Sequence, residues 1–122
     1  INLLEARGSG GRLEVGELTL DASGVEGAVV LGIRPEHLTL HAPTDGAGLP
    51  GEISTVEPLG RETLYEVMTP LGSLRVLEAG SERRFREADR VTVAVPDEAL
   101  LVFDKASEQR LEQARPVLSE AA

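Results

Sequence analysis

The chain contains no cysteine. Disulfides, thiolate catalysis and cysteine-built zinc sites are therefore excluded, and the composition suits a reducing cytoplasm, although it is also allowed outside one. Tryptophan is also absent, and the only aromatic residues are Tyr65, Phe85 and Phe103. A single-strand nucleic-acid binder stacks bases on aromatic rings, so that class loses its main support. Positive charge is scarce: 12 Lys and Arg stand against 21 Asp and Glu, for a net charge of −9. A nucleic-acid binder is expected to carry a basic face for phosphate backbones, so this balance argues against that class, and it disfavours docking on an anionic membrane surface. No apolar run approaches the ~20 residues of a membrane-spanning helix, and no signal-peptide pattern opens the sequence. The start at Ile1 in place of Met leads us to expect a piece of a longer polypeptide.

What is present is a chain of 122 residues, 41% of them hydrophobic, enough for one modest core built mainly from Leu and Val. The pattern is one of short strands between turn residues. Strands are expected at 2–7, 12–15, 17–20, 28–33 and 38–41. After a Pro-, Asp- and Gly-containing loop at 42–50, they are expected at 51–57, 63–68, 73–77, 91–95 and 100–103. Thr69 to Gly72 reads as a hairpin turn, and Phe85 to Asp89 as polar and turn-like. A short helix is expected over 107–113, and a frayed tail from Pro116. About ten strands in this length point to an all-β barrel or sandwich.

A repeat stands out at a shift of 62 residues. Val29, Leu31 and Ile33 fall on Val91, Val93 and Val95, Pro35-Glu36 on Asp97-Glu98, and Leu38 and Leu40 on Leu100 and Val102. Both copies read strand, acidic corner with a proline, then short strand. Proline fixes φ and cannot donate to a ladder, so it ends a strand. The corner itself is structural on this reading. Arg34 and His37 have no counterpart, since Pro96 and Ala99 stand in their places. The plain role for Arg34 is an ion pair with Glu36 or a nearby acid that pins the barrel. The plain role for His37 is a hydrogen-bonded structural imidazole. The sharper reading makes both residues organisers of the barrel or of its contact with another domain.

Other chemistries find little support. On a strand His37 and His41 would stand ~13 Å apart, too far to share a metal. There is no Gly-x-Ser-x-Gly elbow, and the only lysine, Lys105, follows no phosphate-binding loop. Gly8-Ser9-Gly10-Gly11-Arg12 invites comparison with the signature of transporter ATPases, but Arg12 to Val15 reads as a strand, which makes it a hairpin turn.

Residues 31–38, LGIRPEHL, resemble the hallmark of the C-terminal regulatory region, or TOBE domain, of ATP-binding subunits of carbohydrate ABC importers of the maltose and glycerol-3-phosphate type. The likeness continues in order through 2–6, 11–15, 17–20, 49–52, 56–60, 62–64, 85–91 and 101–104. It implies an OB-like β-barrel over 1–104, made of two β-rich segments, 1–42 and 49–104, with 105–122 as terminal helix or tail. It also implies a preceding ATPase domain that holds ATP and Mg, so no catalytic, cofactor or metal residue is expected in this stretch. Arg34, Pro35, Glu36 and His37 are then a structural and regulatory motif. The expected partners are a second copy of the subunit, membrane subunits reached through the ATPase domain, and in some cases a regulatory protein. The expected place is the cytoplasmic face of the membrane, without insertion. Leu59 to Tyr65 and the exposed side of Leu74 to Leu77 are candidate dimer faces. A rival reading is a barrel that binds a small oxyanion or sugar.

Overall fold

The computed structural model describes residues 1–43, 48–111 and 116–117. The first half of the chain forms β1 (Asn2–Ser9), β2 (Arg12–Val15), β3 (Leu18–Asp21) and β4 (Gly27–Ile33), then a single 3₁₀ turn (Pro35–His37) and β5 (Thr39–His41). The second half repeats the plan. It forms β6 (Leu49–Pro58), β7 (Glu62–Thr69), β8 (Gly72–Ala79) and β9 (Arg90–Ala94), then a second 3₁₀ turn (Asp97–Ala99) and β10 (Leu100–Asp104). Period-two alternation decides which side chains enter the core. Leu13 and Val15, Val29, Leu31 and Ile33, Leu74 and Val76, and Val91 and Val93 are all buried in one cluster. The first hairpin turns at Gly10-Gly11, both at positive φ, which is the backbone that a two-residue turn with the right twist needs. The GSGGR stretch is therefore a hairpin and not a nucleotide signature.

Two five-stranded antiparallel sheets enclose this core as an all-β, OB-like barrel, with orders β10-β4-β1-β2-β3 and β5-β9-β6-β7-β8. Each sheet takes four strands from one half and its outermost strand from the other. The repeat explains the exchange. Adding 62 to the β4 residue and subtracting 62 from its β10 partner carries the pairs Gly32–Leu101, Leu31–Val102 and Val30–Phe103 onto Ala94–Thr39, Val93–Leu40 and Thr92–His41. The two 3₁₀ corners thus deliver their following strands across a pseudo-twofold axis in identical register. The β2–β3 and β7–β8 turns also meet, with Glu17 N–H donating to the Pro70 carbonyl at 2.8 Å. Asn2 seals another seam. Its buried side-chain amide donates to the Arg75 carbonyl at 3.0 Å and accepts from Arg75 N–H at 2.7 Å, as a strand backbone would.

Two expectations for the end of the chain require correction. The helix expected over 107–113 is absent from its described part. Asp104 accepts hydrogen bonds from the Ser107 N–H (2.8 Å) and hydroxyl (2.9 Å), Glu108 takes φ of 61°, and Arg110 bridges to Phe103 on the β10 edge. Pairing along an open sheet edge has outcompeted local helix propensity. Residues 112–113 lie outside the described residues. Nor is the tail wholly frayed: Pro116 is buried, and Val117 N–H donates to the Asp21 carbonyl at 2.9 Å. Strand β6 begins at Leu49, two residues before the expected 51, because Leu49 is buried opposite Val93.

The turn after β10 sets a pH dependence. The Ser107 N–H, and then its hydroxyl, hold the Asp104 carboxyl below its ordinary value of 3.8. A depressed carboxylate stabilises the fold fully above that value and loses its contribution as pH falls through the lower folded one. Asp104→Ala is therefore expected to melt below the parent at pH 7, with the gap closing under strong acid. Melting curves recorded across pH 2–7 (roughly the carboxylate range) check this, and a gap that is constant with pH would assign the loss to packing.

Candidate functional site at the Arg34–His37 corner

The first corner is built by its proline. Arg34 is extended (φ −76°, ψ 130°), as a residue before proline must be, and Pro35 opens the 3₁₀ turn where no N–H is needed. His37 N–H donates to the Arg34 carbonyl at 3.0 Å and Leu38 N–H to the Pro35 carbonyl at 3.3 Å. Leu38 then drops into the core. The second corner reaches the same backbone with Pro96 one position earlier, and Ala99 N–H donates to the Pro96 carbonyl at 2.9 Å. Neither Arg34 nor His37 is needed to make the turn.

The side chains bear this out. Arg34, Glu36 and His37 are all exposed, and none makes a side-chain hydrogen bond or ion pair among the described residues. The barrel-pinning pair of Arg34 with Glu36 does not form. In water such a pair gains little Coulomb energy and costs side-chain entropy. His37 is likewise no buried structural imidazole, whereas Ala99 at the matching position is buried. The turn packs on β8, so its base is fixed while a guanidinium, a carboxylate and an imidazole face outward together. Such a group can grip a mixed-charge surface by charge-assisted bonds. His41 is occupied elsewhere, with Nε2 at 3.1 Å from Thr39 Oγ1.

The sequence reading missed a second organised feature. Tyr65 is fully buried among aliphatic residues, and its hydroxyl accepts the N–H groups of Arg84 (3.0 Å) and Phe85 (3.4 Å). Phe85 meets the Tyr65 ring edge-on at a centroid distance of 6.1 Å, and the Arg84 guanidinium sits 4.8 Å over Phe85. The available signal was Arg83-Arg84-Phe85-Arg86, the densest basic run of an acidic chain. Of the two candidate dimer faces, Leu59 is exposed, while Leu74 and Val76 point into the core and leave Ser73 and Arg75 outside.

Residues 31–103 match the TOBE domain, and residues 2–40 match the CysA C-terminal regulatory domain. The chain is 35% identical over 112 residues to the sn-glycerol-3-phosphate import ATP-binding protein UgpC of Cereibacter sphaeroides, covering 91% of this chain and 32% of that protein. It is 35% identical over 105 residues to the Fe(3+) ions import ATP-binding protein FbpC 2 of Rhodococcus jostii, covering 80% of this chain and 30% of that protein. A spermidine/putrescine import ATP-binding protein, PotA of Ruegeria pomeroyi, is 35% identical over 81 residues, covering 63% of this chain and 22% of that protein. The chain thus spans about a third or less of the length of these relatives. With the TOBE match running over more than half of its length, the chain belongs to the TOBE domain family.

Proposed function

We propose that this barrel is the regulatory and dimerisation module of an ABC importer ATP-binding subunit that energises uptake of a sugar or of glycerol 3-phosphate. The observation that carries the reading is the likeness to the glycerol-3-phosphate importer subunit. It runs over 91% of the chain, against 80% for the iron importer subunit and 63% for the polyamine one. In this reading ATP and Mg are bound by the rest of the subunit, on the cytoplasmic face of the membrane. The barrel keeps two copies of the subunit close between rounds of hydrolysis, and tethering lets a weak contact suffice. The outward-facing Arg34, Glu36 and His37 supply a contact to the ATPase domain or to a regulatory protein. Folding leaves these groups unused, so they remain available for such a contact.

The test uses the full-length subunit assembled with its membrane subunits in vesicles. Sugar or glycerol 3-phosphate is expected to drive uptake and to stimulate ATP hydrolysis, and stimulation only by iron or polyamine would overturn the substrate assignment. In the same system the triple variant Arg34→Ala/Glu36→Ala/His37→Ala is expected to lose most of the stimulated hydrolysis. The melting temperature of the barrel should stay within about 2 °C, as for exposed side chains without partners. Unchanged coupling would remove the corner from the mechanism, and a large drop in melting would return it to a structural role.

A further inference from the structure

The two halves of the barrel serve as controls for each other. In the first half, β3 and β4 are joined by residues 22–26, and this short connector plugs the core with Ala22 and Val25. In the second half, the equivalent connection from β8 to β9 runs over residues 80–89, twice as long. Closing the sheet needs five residues, so the added length is free for another purpose. It carries Arg83, Arg84 and Arg86, which line a cleft of about 610 Å³ together with Phe85 and Asp89.

The loop is held in place. The Tyr65 hydroxyl takes the N–H groups of Arg84 and Phe85, Ala88 N–H donates to the Ile53 carbonyl at 2.8 Å, and Ile53 N–H donates to the Asp89 carbonyl at 2.9 Å. Ile53 sits at the β6 bulge, where the strand leaves its β9 partner, so the irregularity of the sheet anchors the loop. Arg84 is fixed by Glu78 (2.7 Å), by the Leu40 carbonyl (3.1 Å) and by the Phe85 ring. A guanidinium has five donors, so Arg84 keeps some for a ligand. Arg83 and Arg86 make no ion pair among the described residues. Asp89 uses Oδ2 to accept the Arg86 N–H at 3.0 Å, and Glu82 and Glu87 do not line the cleft.

We propose that this cleft binds the oxyanion end, phosphate or carboxylate, of a small organic molecule, with Arg84 as its fixed floor and Arg83 and Arg86 as closing arms. Forked guanidinium groups match both oxyanions bidentately. The volume falls within the usual range for small-molecule sites and leaves room for an organic portion, and the second oxygen of Asp89 can accept from a hydroxyl. The net charge of −9 does not prevent this, because at physiological salt screening acts over about 8 Å, and at the cleft three arginines outnumber the adjoining carboxylates of Asp89 and Glu78.

The proposal is tested by titrating the ¹⁵N-labelled 122-residue chain at constant ionic strength with glucose 6-phosphate, glucuronate and neutral glucose. The amides of residues 83–86 and 89 are expected to shift saturably with one or both anions and not with glucose. Tighter binding of the phosphate ester or of the carboxylate identifies which oxyanion the site prefers. Arg83→Gln/Arg86→Gln, at two exposed positions, is expected to fold normally and to weaken binding roughly tenfold. The proposal is overturned by the absence of saturable shifts up to ~20 mM, where a site of millimolar affinity would be filled. Equal shifts with glucose, or unchanged affinity in the folded double variant, would also overturn it.

Discussion

Gly16→Ala is expected to cost about 2–5 kcal/mol, from a left-handed backbone (about 1–2 kcal/mol) and overpacking against a contact that cannot yield (about 1–3 kcal/mol). Gly16 sits at φ +58°, and a Cβ there would lie 2.5 Å from the Pro70 carbonyl oxygen and 2.6 Å from that of Leu71. Both are backbone atoms of the β7–β8 turn. A side chain could rotate away, but here the two hairpin turns would have to part and break the Glu17–Pro70 hydrogen bond that joins the halves. Gly24→Ala is the control. Gly24 has φ +81° and open space around its would-be Cβ. It should cost only the backbone penalty, about 1–2 kcal/mol. Urea unfolding of both variants isolates the contact term. Equal losses would mean that the turns do not touch in solution.

This contact shows where sequence reasoning stops. Alternation along Leu13-Glu14-Val15 or Leu74-Arg75-Val76 tells which side chains are buried, because a strand repeats every two residues. Gly10-Gly11 and Pro70-Leu71 between alternating runs tell where hairpins turn. The 62-residue repeat was legible too, since proline-bearing corners between apolar strands are rare enough to align. Which strand pairs with which was not. Periodicity gives a strand its faces but not its neighbours, and here the corners send β5 and β10 each to the other half's sheet. The terminal helix failed for a related reason. The run Ser107-Glu108-Gln109-Arg110-Leu111 has helical propensity, but only the fold supplies the open β10 edge that captured it.

The candidate site divides in the same way. The sequence marked Arg34 and His37 as extra, because the second corner does without them. It could not say whether they face the core or the solvent. Both plain roles assumed an internal partner, and the exposure of all three charged or ionisable side chains removes that assumption. For the Arg83–Arg86 run the composition concealed the feature. Four arginines at 83, 84, 86 and 90 interleave with Glu82, Glu87 and Asp89, so the segment reads as an ordinary solvated loop. Only the fold sorts these charges, bringing three arginines to one cleft and leaving two of the acids off it.

Tyr65 links that cleft to the core, and its substitutions separate the two roles. Tyr65→Ala removes the largest fully buried side chain of the barrel. It is expected to cost about 3–5 kcal/mol, as for other buried aromatic truncations, a large part of the stability of a domain this size. Tyr65→Phe keeps the ring and its edge-on contact with Phe85 but deletes the oxygen that takes the Arg84 and Phe85 amides. Two lost hydrogen bonds predict about 1–3 kcal/mol. The more telling effect is local. With the core intact, the loop loses its anchor, so the amides of Arg84 and Phe85 should exchange with solvent faster while those of β9 stay protected. Oxyanion affinity should fall in parallel, because fixed donors bind better than mobile ones. Faster exchange spread evenly over the barrel would assign Tyr65 to general stability. Faster exchange confined to residues 84–85 with unaltered affinity would detach the loop's order from the cleft, and leave Arg83 and Arg86 to bind without a fixed floor.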